Sequence, residues 1–407
     1  MKKAIFCLLG LIFVSVSAHA ITWNEVMELG EKNSHDLVAA QKQLESSEWS
    51  YRKAYSTFLP QLSLNASYSE STVSTAETTK SYSDGISATE NLFQGMADIY
   101  GVQSAYANLE FQRADFQGTK ASVFFDLRSA YVNLMLAHKN IEVLQKILDQ
   151  AKHNTKLIQL MYDSGKEDLG SLMSTRADEA SANFDLNSAK RNYDLAWLKL
   201  SQLLQQNISG EVEEVGPGTA EAADLRALLK QDPDYVKAAK TLEIAELAQK
   251  STISEFLPSI SLNGRYSNTG LQWPPDTNTS SWSLNLSYSF FPGGSNIADW
   301  AIGAANLDAA KENYAQAAND LLFGLKQTYQ GYLNSLDALQ LSRISLAANI
   351  EREKITTAGY LNGLYTYDEW SRIEQSYFQS QKGELSAEGS ALLAEAAWYK
   401  SYGGWIK

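Results

Sequence analysis

The 407-residue chain reads as a mostly helical protein made of two tandem copies of one unit, each adding two strands to a membrane β-barrel that closes only by oligomerisation. Three observations predict this. The sequence matches itself without a gap at an offset of 198 residues. Its strand segments alternate polar and apolar side chains, and each copy holds a stretch of about 65 residues almost free of helix breakers.

The offset holds across most of the chain. Phe58-Leu59-Pro60 falls on Phe256-Leu257-Pro258, Ser63-Leu64-Asn65 on Ser261-Leu262-Asn263, and Tyr68-Ser69 on Tyr266-Ser267. Gly95/Gly293, Ala107-Asn108-Leu109/Ala305-Asn306-Leu307, Tyr131/Tyr329, Tyr162/Tyr360 and Gly165/Gly363 keep the same register. The repeats are expected at 21–206 and 219–407, joined by a Gly/Pro/acid linker at 207–218. Two units are too few for a solenoid, so pseudo-symmetry within one architecture is the better reading.

Residues 1–20 have the form of a secretory signal: Lys2 and Lys3, an apolar run from Ala4 to Val16, and Ala18-His19-Ala20 as cleavage site. Cleavage removes two Lys and the single Cys, Cys7, so the formal charge falls from −13 to −15. Cys7 lies too early to become the lipid-bearing residue of a lipoprotein, and no lipid anchor is expected. Taken alone, the signal also fits a soluble exported protein. The apolar fraction of 44% is too high for a disordered chain, and one Cys excludes a disulfide framework. The negative charge argues against a nucleic-acid partner, whose phosphates are held by Lys and Arg.

From Trp23 to Thr57 the residues favour one helix, stopped by Pro60, whose ring cannot continue it. Strands follow at about 61–72 and 81–92, then a long helix over 95–163 and a second over 167–206. The second repeat has a helix, strands at about 259–269 and 281–291, a long helix over 294–361 and a last helix over 364–402. At ~1.5 Å per residue each long helix runs on the order of 100 Å, too long for an ordinary core. Ala137, Ile141, Leu144, Leu148, Ala151, Thr155 and Ile158 recur at spacings of four and three, as do Ala182, Leu186, Ala189, Tyr193, Ala196, Leu200 and Leu203. That is a coiled-coil seam. In the second repeat Leu339, Leu346 and Ile350 are interrupted by Arg343 and Glu353, giving the seam a wetter side.

In the strands, Leu62, Leu64 and Tyr68 share one parity, as do Ile260, Leu262 and Tyr266, and Trp282, Leu284, Leu286 and Tyr288. The opposite parity is Ser, Asn, Gln and Thr. Runs of this length match the roughly 9–11 residues that cross a bilayer when tilted. Tyr68, Tyr266, Tyr288, Trp282 and Phe290 are expected near strand ends as an aromatic girdle. These apolar positions are read as lipid-facing and the polar ones as the lining of a wet pore. Four strands cannot close, and an open edge cannot sit in hydrocarbon. Identical copies therefore supply 8, 12 or 16 strands. Asp84 and Glu90 share the apolar parity, and reaching the lumen would require a bulge.

Several features together resemble the TolC family of outer-membrane efflux and secretion ducts. They are the cleaved signal, the opening Ile21-Thr22-Trp23-Asn24-Glu25, the repeated Phe-Leu-Pro-x-[Leu/Ile]-Ser-Leu, Leu92-Phe93-Gln94-Gly95 and Phe290-Phe291-Pro292-Gly293-Gly294, and Tyr-x-x-Gly at 162–165 and 360–363. The resemblance implies a homotrimer with a 12-stranded barrel in outer-membrane lipid and a tunnel of twelve helices crossing the periplasm. It also implies a periplasmic adaptor (membrane fusion protein) and an inner-membrane RND pump or ABC exporter as partners.

The resemblance further places a periplasmic gate at the two helix tips. The first acid of the family's ring falls on Glu369, with Asp368 beside it, and the second falls on Arg372. The tying Tyr falls on Tyr360, its Arg partner on Tyr365 and its first-tip acid on Ser171. Closure is therefore expected from packing of Tyr365, Tyr367 and Trp370. Adaptor contacts are expected at Asp163, Ser164, Gly165, Lys166, Asn362, Gly363 and Leu364. The competing reading of such turns is an ordinary glycine-capped helix end.

No enzymatic constellation emerges. His35, His138 and His153 lie far apart, phosphate loops and nucleophile elbows are missing, and Glu213-Glu214 falls in the linker. No cofactor or metal site is expected. The alternative to a passive duct is a soluble periplasmic coiled-coil scaffold whose strands mediate assembly.

Overall fold

The computed structural model describes residues 20–72, 78–208, 210–220 and 222–406; the expected signal lies outside the described residues except for Ala20. Helices α1 (Trp23–Asn33) and α2 (His35–Ala54) precede strands β1 (Gln61–Ser71) and β2 (Thr79–Gln94), then α3 (Ala97–Asp163) and α4 (Leu169–Leu204). The second repeat follows the same order, with α5 (Leu225–Leu229), α6 (Pro233–Ser251), β3 (Ser259–Gly270), β4 (Thr277–Ser287), α7 (Ser295–Leu361) and α8 (Tyr367–Lys400). The single helix expected over Trp23–Thr57 is broken at Ser34. This residue closes α1, its N–H donating to the Gly30 carbonyl, and opens α2, its hydroxyl accepting from the Leu37 N–H. A serine is the residue that serves an N-cap well and a helix interior poorly.

Helices α3 and α7 have 67 residues each. They form long antiparallel coils with α4 and α8 respectively, and α3 also packs on α8. The seam positions Leu144, Leu148, Ala151, Ala182, Leu186 and Ala189 form one buried cluster with Ile147. Helix α7 is the more exposed of the two long helices, with Leu325, Tyr332, Leu339 and Tyr360 its buried large side chains among the described residues.

Midway along the coils both repeats build an apolar core. Trp23, Val26, Phe124, Leu127, Tyr131, Leu200 and Leu204 make one, and Leu229, Leu325, Tyr332 and Trp398 the other. Leu127 and Leu325, equivalent by the repeat, are each 1% exposed. The linker is strapped against these cores: Tyr131 Oη donates to the Ile21 and Glu213 carbonyls, and Tyr332 Oη to that of Gly218.

The strands form one antiparallel sheet in the order β1-β2-β3-β4, with β1 and β4 as unpaired edges. Register is continuous except between Asn91 and Phe93, where Leu92 is the extra residue of a bulge. Asp84 and Glu90 lie before that bulge and stay on the apolar face. Asp84 pairs with Ala66 and Asn268, whose amide donates to it at 2.9 Å, and Glu90 pairs with Leu262. No helix among the described residues is long and apolar enough to cross a membrane.

Candidate functional site

Two regions stand out as candidates to carry function: the sheet at one end and the helix tips at the other. On the sheet, cross-strand partners share a face. Leu62, Leu64 and Tyr68 therefore lie with Ile86, Tyr82, Ile260, Leu262, Tyr266, Trp282, Leu284 and Leu286. Leu62, Leu64 and Trp282 are 74%, 78% and 78% exposed, a large apolar surface left uncovered by the chain itself. The aromatic arrangement differs from the expected girdle. Trp282 sits in mid-strand opposite Gly264, and Tyr288 lies one residue beyond the end of β4. Tyr68, Tyr82 and Trp273 instead group at the end of the sheet that carries the β3–β4 connection, with centroids 5.0 and 6.2 Å apart. On the opposite face the lining is hydroxyl-rich: Ser63 bonds Ser87 at 2.7 Å, Ser67 bonds Ser83 at 2.8 Å, and Thr89 donates to Asn263.

At the tips, Gly165 (φ 73°) and Gly363 (φ 74°) occupy the left-handed conformation that ends each long helix. The Lys166 N–H bonds the Met161 carbonyl, and the Leu364 N–H bonds that of Gly359, the longer bond of a Schellman turn. Asp168 and Thr366, equivalent by the repeat, cap α4 and α8. The positions expected to meet an adaptor, Asp163–Lys166 and Asn362–Leu364, are exposed, and Leu364 presents 77% of its surface. Three of their polar side chains are tied back to their own helices: Asp163 accepts from Gln159, the Ser164 hydroxyl donates to the Met161 carbonyl, and the Asn362 amide to that of Ala358.

The two tips are fastened to each other. Tyr360 Oη of α7 donates to Glu167 Oε1 at 2.7 Å, so the acid partner of Tyr360 is Glu167 and not Ser171. Ser171 is the third residue of α4, and its N–H donates to the Asp168 cap. Burial and the adjacent Glu167 charge both raise the Tyr360 phenol. The Tyr360 ring stacks on Trp370 at 4.9 Å with planes 8° apart, and Trp370 Nε1 donates to Thr357. Tyr367 packs against Trp370, and Ile158 and Leu172 from the first hairpin complete the cluster. Tyr365 stands outside that cluster. Its ring covers Gly359, where a Cβ would come within 2.5 Å of it, and it remains 40% exposed.

Glu369, Asp368 and Arg372 are exposed at the start of α8. Glu369 doubles as the capping-box acid, accepting from the Thr366 N–H and hydroxyl, and these bonds hold its carboxyl below the usual range. It is therefore an ionised group held in place on the surface.

One turn further along α8, Glu374 is 3% exposed between the hairpins and accepts from Gln150 of α3. Burial, reinforced by the Glu353 charge, pushes its carboxyl up to about 7, while Gln150 and Asn154 act in the opposite sense. Sequence reasoning missed both Glu167 and Glu374. For Glu167 the available signal was an acid two residues past the turn glycine; for Glu374 there was none, because a glutamate on a polar helix reads as solvated.

A family model described as outer membrane efflux protein matches residues 27–206 and again 225–404. The pyoverdine export outer membrane protein OpmQ of Pseudomonas putida is 20% identical over 417 residues, covering 94% of this chain and 85% of that protein. Two solved structures share the fold. CusC superposes with a TM-score of 0.85 at 18% identity, over 94% of this chain and 92% of that one. The outer membrane protein VceC of Vibrio cholerae does so with a TM-score of 0.82 at 18% identity, over 95% and 97%.

Proposed function

This chain belongs to the outer membrane efflux protein family, and from that premise we propose that it is the gated exit duct of a tripartite efflux pump or a type I secretion system. It is an outer-membrane efflux channel that extends into the periplasm. The finer reading is a homotrimer whose three sheets join edge to edge into a 12-stranded barrel, with the coils of α3, α4, α7 and α8 forming a periplasmic tunnel. The observation that carries it is the four-stranded sheet, apolar and exposed on one face, hydroxyl-lined on the other and unpaired at both edges. Such a sheet is compatible with hydrocarbon only when other copies pair its edges.

The tips form the periplasmic gate in this reading. Tyr360, Glu167 and Trp370 hold the α7–α8 hairpin to the α3–α4 hairpin, and Glu369 with Asp368 supplies negative charge at the mouth. Arg372 lies within electrostatic reach of Glu369 and tempers that charge. The exposed turns at Asp163–Lys166 and Asn362–Leu364 are the surface for a periplasmic adaptor, which connects the duct to an inner-membrane RND pump or ABC exporter. Planar-bilayer recording of the detergent-purified protein tests the reading. Small, mostly closed channels support a gated duct, and the absence of current from an intact oligomer overturns it.

A further inference from the structure

Among the described residues, the polar face of the sheet carries one charged side chain per copy. Among the described strand residues, the positions on that face are Ser, Thr, Asn, Gln or Gly, with the exception of Arg265 in the middle of β3. The remaining charges of the paired strands, Glu70, Lys80, Asp84 and Glu90, have the opposite parity. Arg265 is exposed, and its cross-strand partners are Ser87 on β2 and Ser281 on β4. None of the salt bridges among the described residues involves it. A carboxylate directly opposite would stabilise a guanidinium on a strand; here both neighbours are small hydroxyls that leave the charge uncompensated and on the side away from the apolar face.

We propose that Arg265, repeated around the closed barrel, forms a ring of positive charge in its lumen that makes the duct favour organic anions, chiefly carboxylate-bearing cargo, over cations. The inference rests on the reading above, in which the polar face lines the pore. Parity decides the matter energetically. An Arg on the lipid face near the bilayer midplane costs roughly 2–4 kcal/mol, whereas a lumen position costs little and alters selectivity. A barrel wall is a low-dielectric boundary that concentrates the field of charges inside it. The ring acts over about 8 Å at physiological ionic strength and about 30 Å near 10 mM salt, so its effect grows as salt is lowered. The acidic tips at the far end of the tunnel lie on the order of 100 Å away, beyond screening range, so the two charged regions act on a passing ion separately.

The test is the reversal potential of the reconstituted full chain under a KCl gradient, at about 10 mM and at about 1 M mean salt. Arg265→Gln is expected to lower the chloride-to-potassium permeability ratio about threefold or more at low salt, with a much smaller change at high salt. Arg265→Lys retains the wild-type ratio because it keeps the charge. Citrate added to the bath is expected to reduce current through the wild type and not through Arg265→Gln. A ratio unchanged in Arg265→Gln at low salt overturns the inference while leaving the channel intact. Absence of any current overturns the duct reading instead. Arg265 is exposed and its cross-strand neighbours Ser87 and Ser281 are small, so a neutral polar side chain is accommodated there; circular dichroism of the variant confirms folding before recording.

Discussion

Replacing Glu374 by Gln removes a charge that the packed hairpins resist. The carboxyl is 3% exposed and held at about 7 by burial and by the neighbouring Glu353. Exposed to water it would sit at the ordinary value of 4.5. Each pH unit between those values is about 1.36 kcal/mol, so ionising Glu374 in place opposes the inter-hairpin contact by about 3 kcal/mol per copy. The sign is opposite to that of an ordinary paired carboxylate. The packed state binds the proton more tightly, so its extra stability is complete below pH 4.5 and is lost as pH rises through about 7. The groups facing Glu374 are Glu353 of α7, Tyr377 of α8, the neutral Gln150 and Asn154 of α3, and Asp178 of α4 across the adjoining groove. Glu374→Gln keeps the volume and accepts from Gln150 as before, and it cannot ionise. Hydrogen exchange of the amides around α3 150 and α8 374 in the detergent-purified protein reads the contact directly. The wild type should lose protection between about pH 5 and about pH 8, and the variant should hold acid-like protection throughout. Equal pH dependence in both would refute the assignment of the proton to Glu374.

Tyr360→Phe removes the bond to Glu167 and leaves a half-buried carboxylate without its donor, at a cost of about 1–3 kcal/mol; single-channel recordings should show a raised open probability, with the Tyr360–Trp370 stack retained. Glu369→Gln should weaken block of the current by trivalent cations from the periplasmic side, while costing under about 1 kcal/mol in helix capping, since the amide oxygen still accepts from Thr366; unchanged block would remove Glu369 from the mouth. Leu64→Arg places a charge on the exposed apolar face and, if that face meets lipid as proposed, should destabilise the folded barrel by about 2–4 kcal/mol in detergent or bilayer unfolding, whereas Ser63→Arg, one residue away on the other face, should not.

Much of the fold is legible in the sequence because it is written in periodicities. Period two survives in the strands because the sheet has two environments and no others, so Leu62 and Leu64 read as one face without any knowledge of their neighbours. The Ala182–Leu186–Ala189 seam is legible for the same reason in a helix. Ser34 escaped notice because a serine among helix formers reads as a surface residue until its cap bonds are seen. The bulge at Leu92 has no local signature either; it is a product of pairing with β3, which lies far along the chain.

The tips show where matching by position fails. The offset of 198 carries Asp168 onto Thr366 and Ser171 onto Glu369; both N-caps accept from the N–H of the residue three on, and the second tip adds the Glu369 carboxylate of a capping box. It also carries Glu167 onto Tyr365, and these two do different work. Glu167 reaches across to Tyr360, whereas Tyr365 folds back over Gly359 of its own hairpin. The repeat conserves backbone geometry, while the contacts between hairpins are made by residues that differ between the copies. Such contacts depend on which faces of α3, α4, α7 and α8 meet, and no period within one helix records that.

The central claim is that the exposed sheet of one copy is completed by two others. The most direct measurement is the mass of the detergent-extracted particle, set against the 45.0 kDa of one chain less its signal. A second arm uses cysteines placed on the facing edges of β1 and β4, followed on a non-reducing gel. The account predicts a particle of three copies that requires detergent and yields a covalent trimer on oxidation. A monodisperse single copy that stays in solution without detergent, and forms no crosslink through those edges, would contradict it.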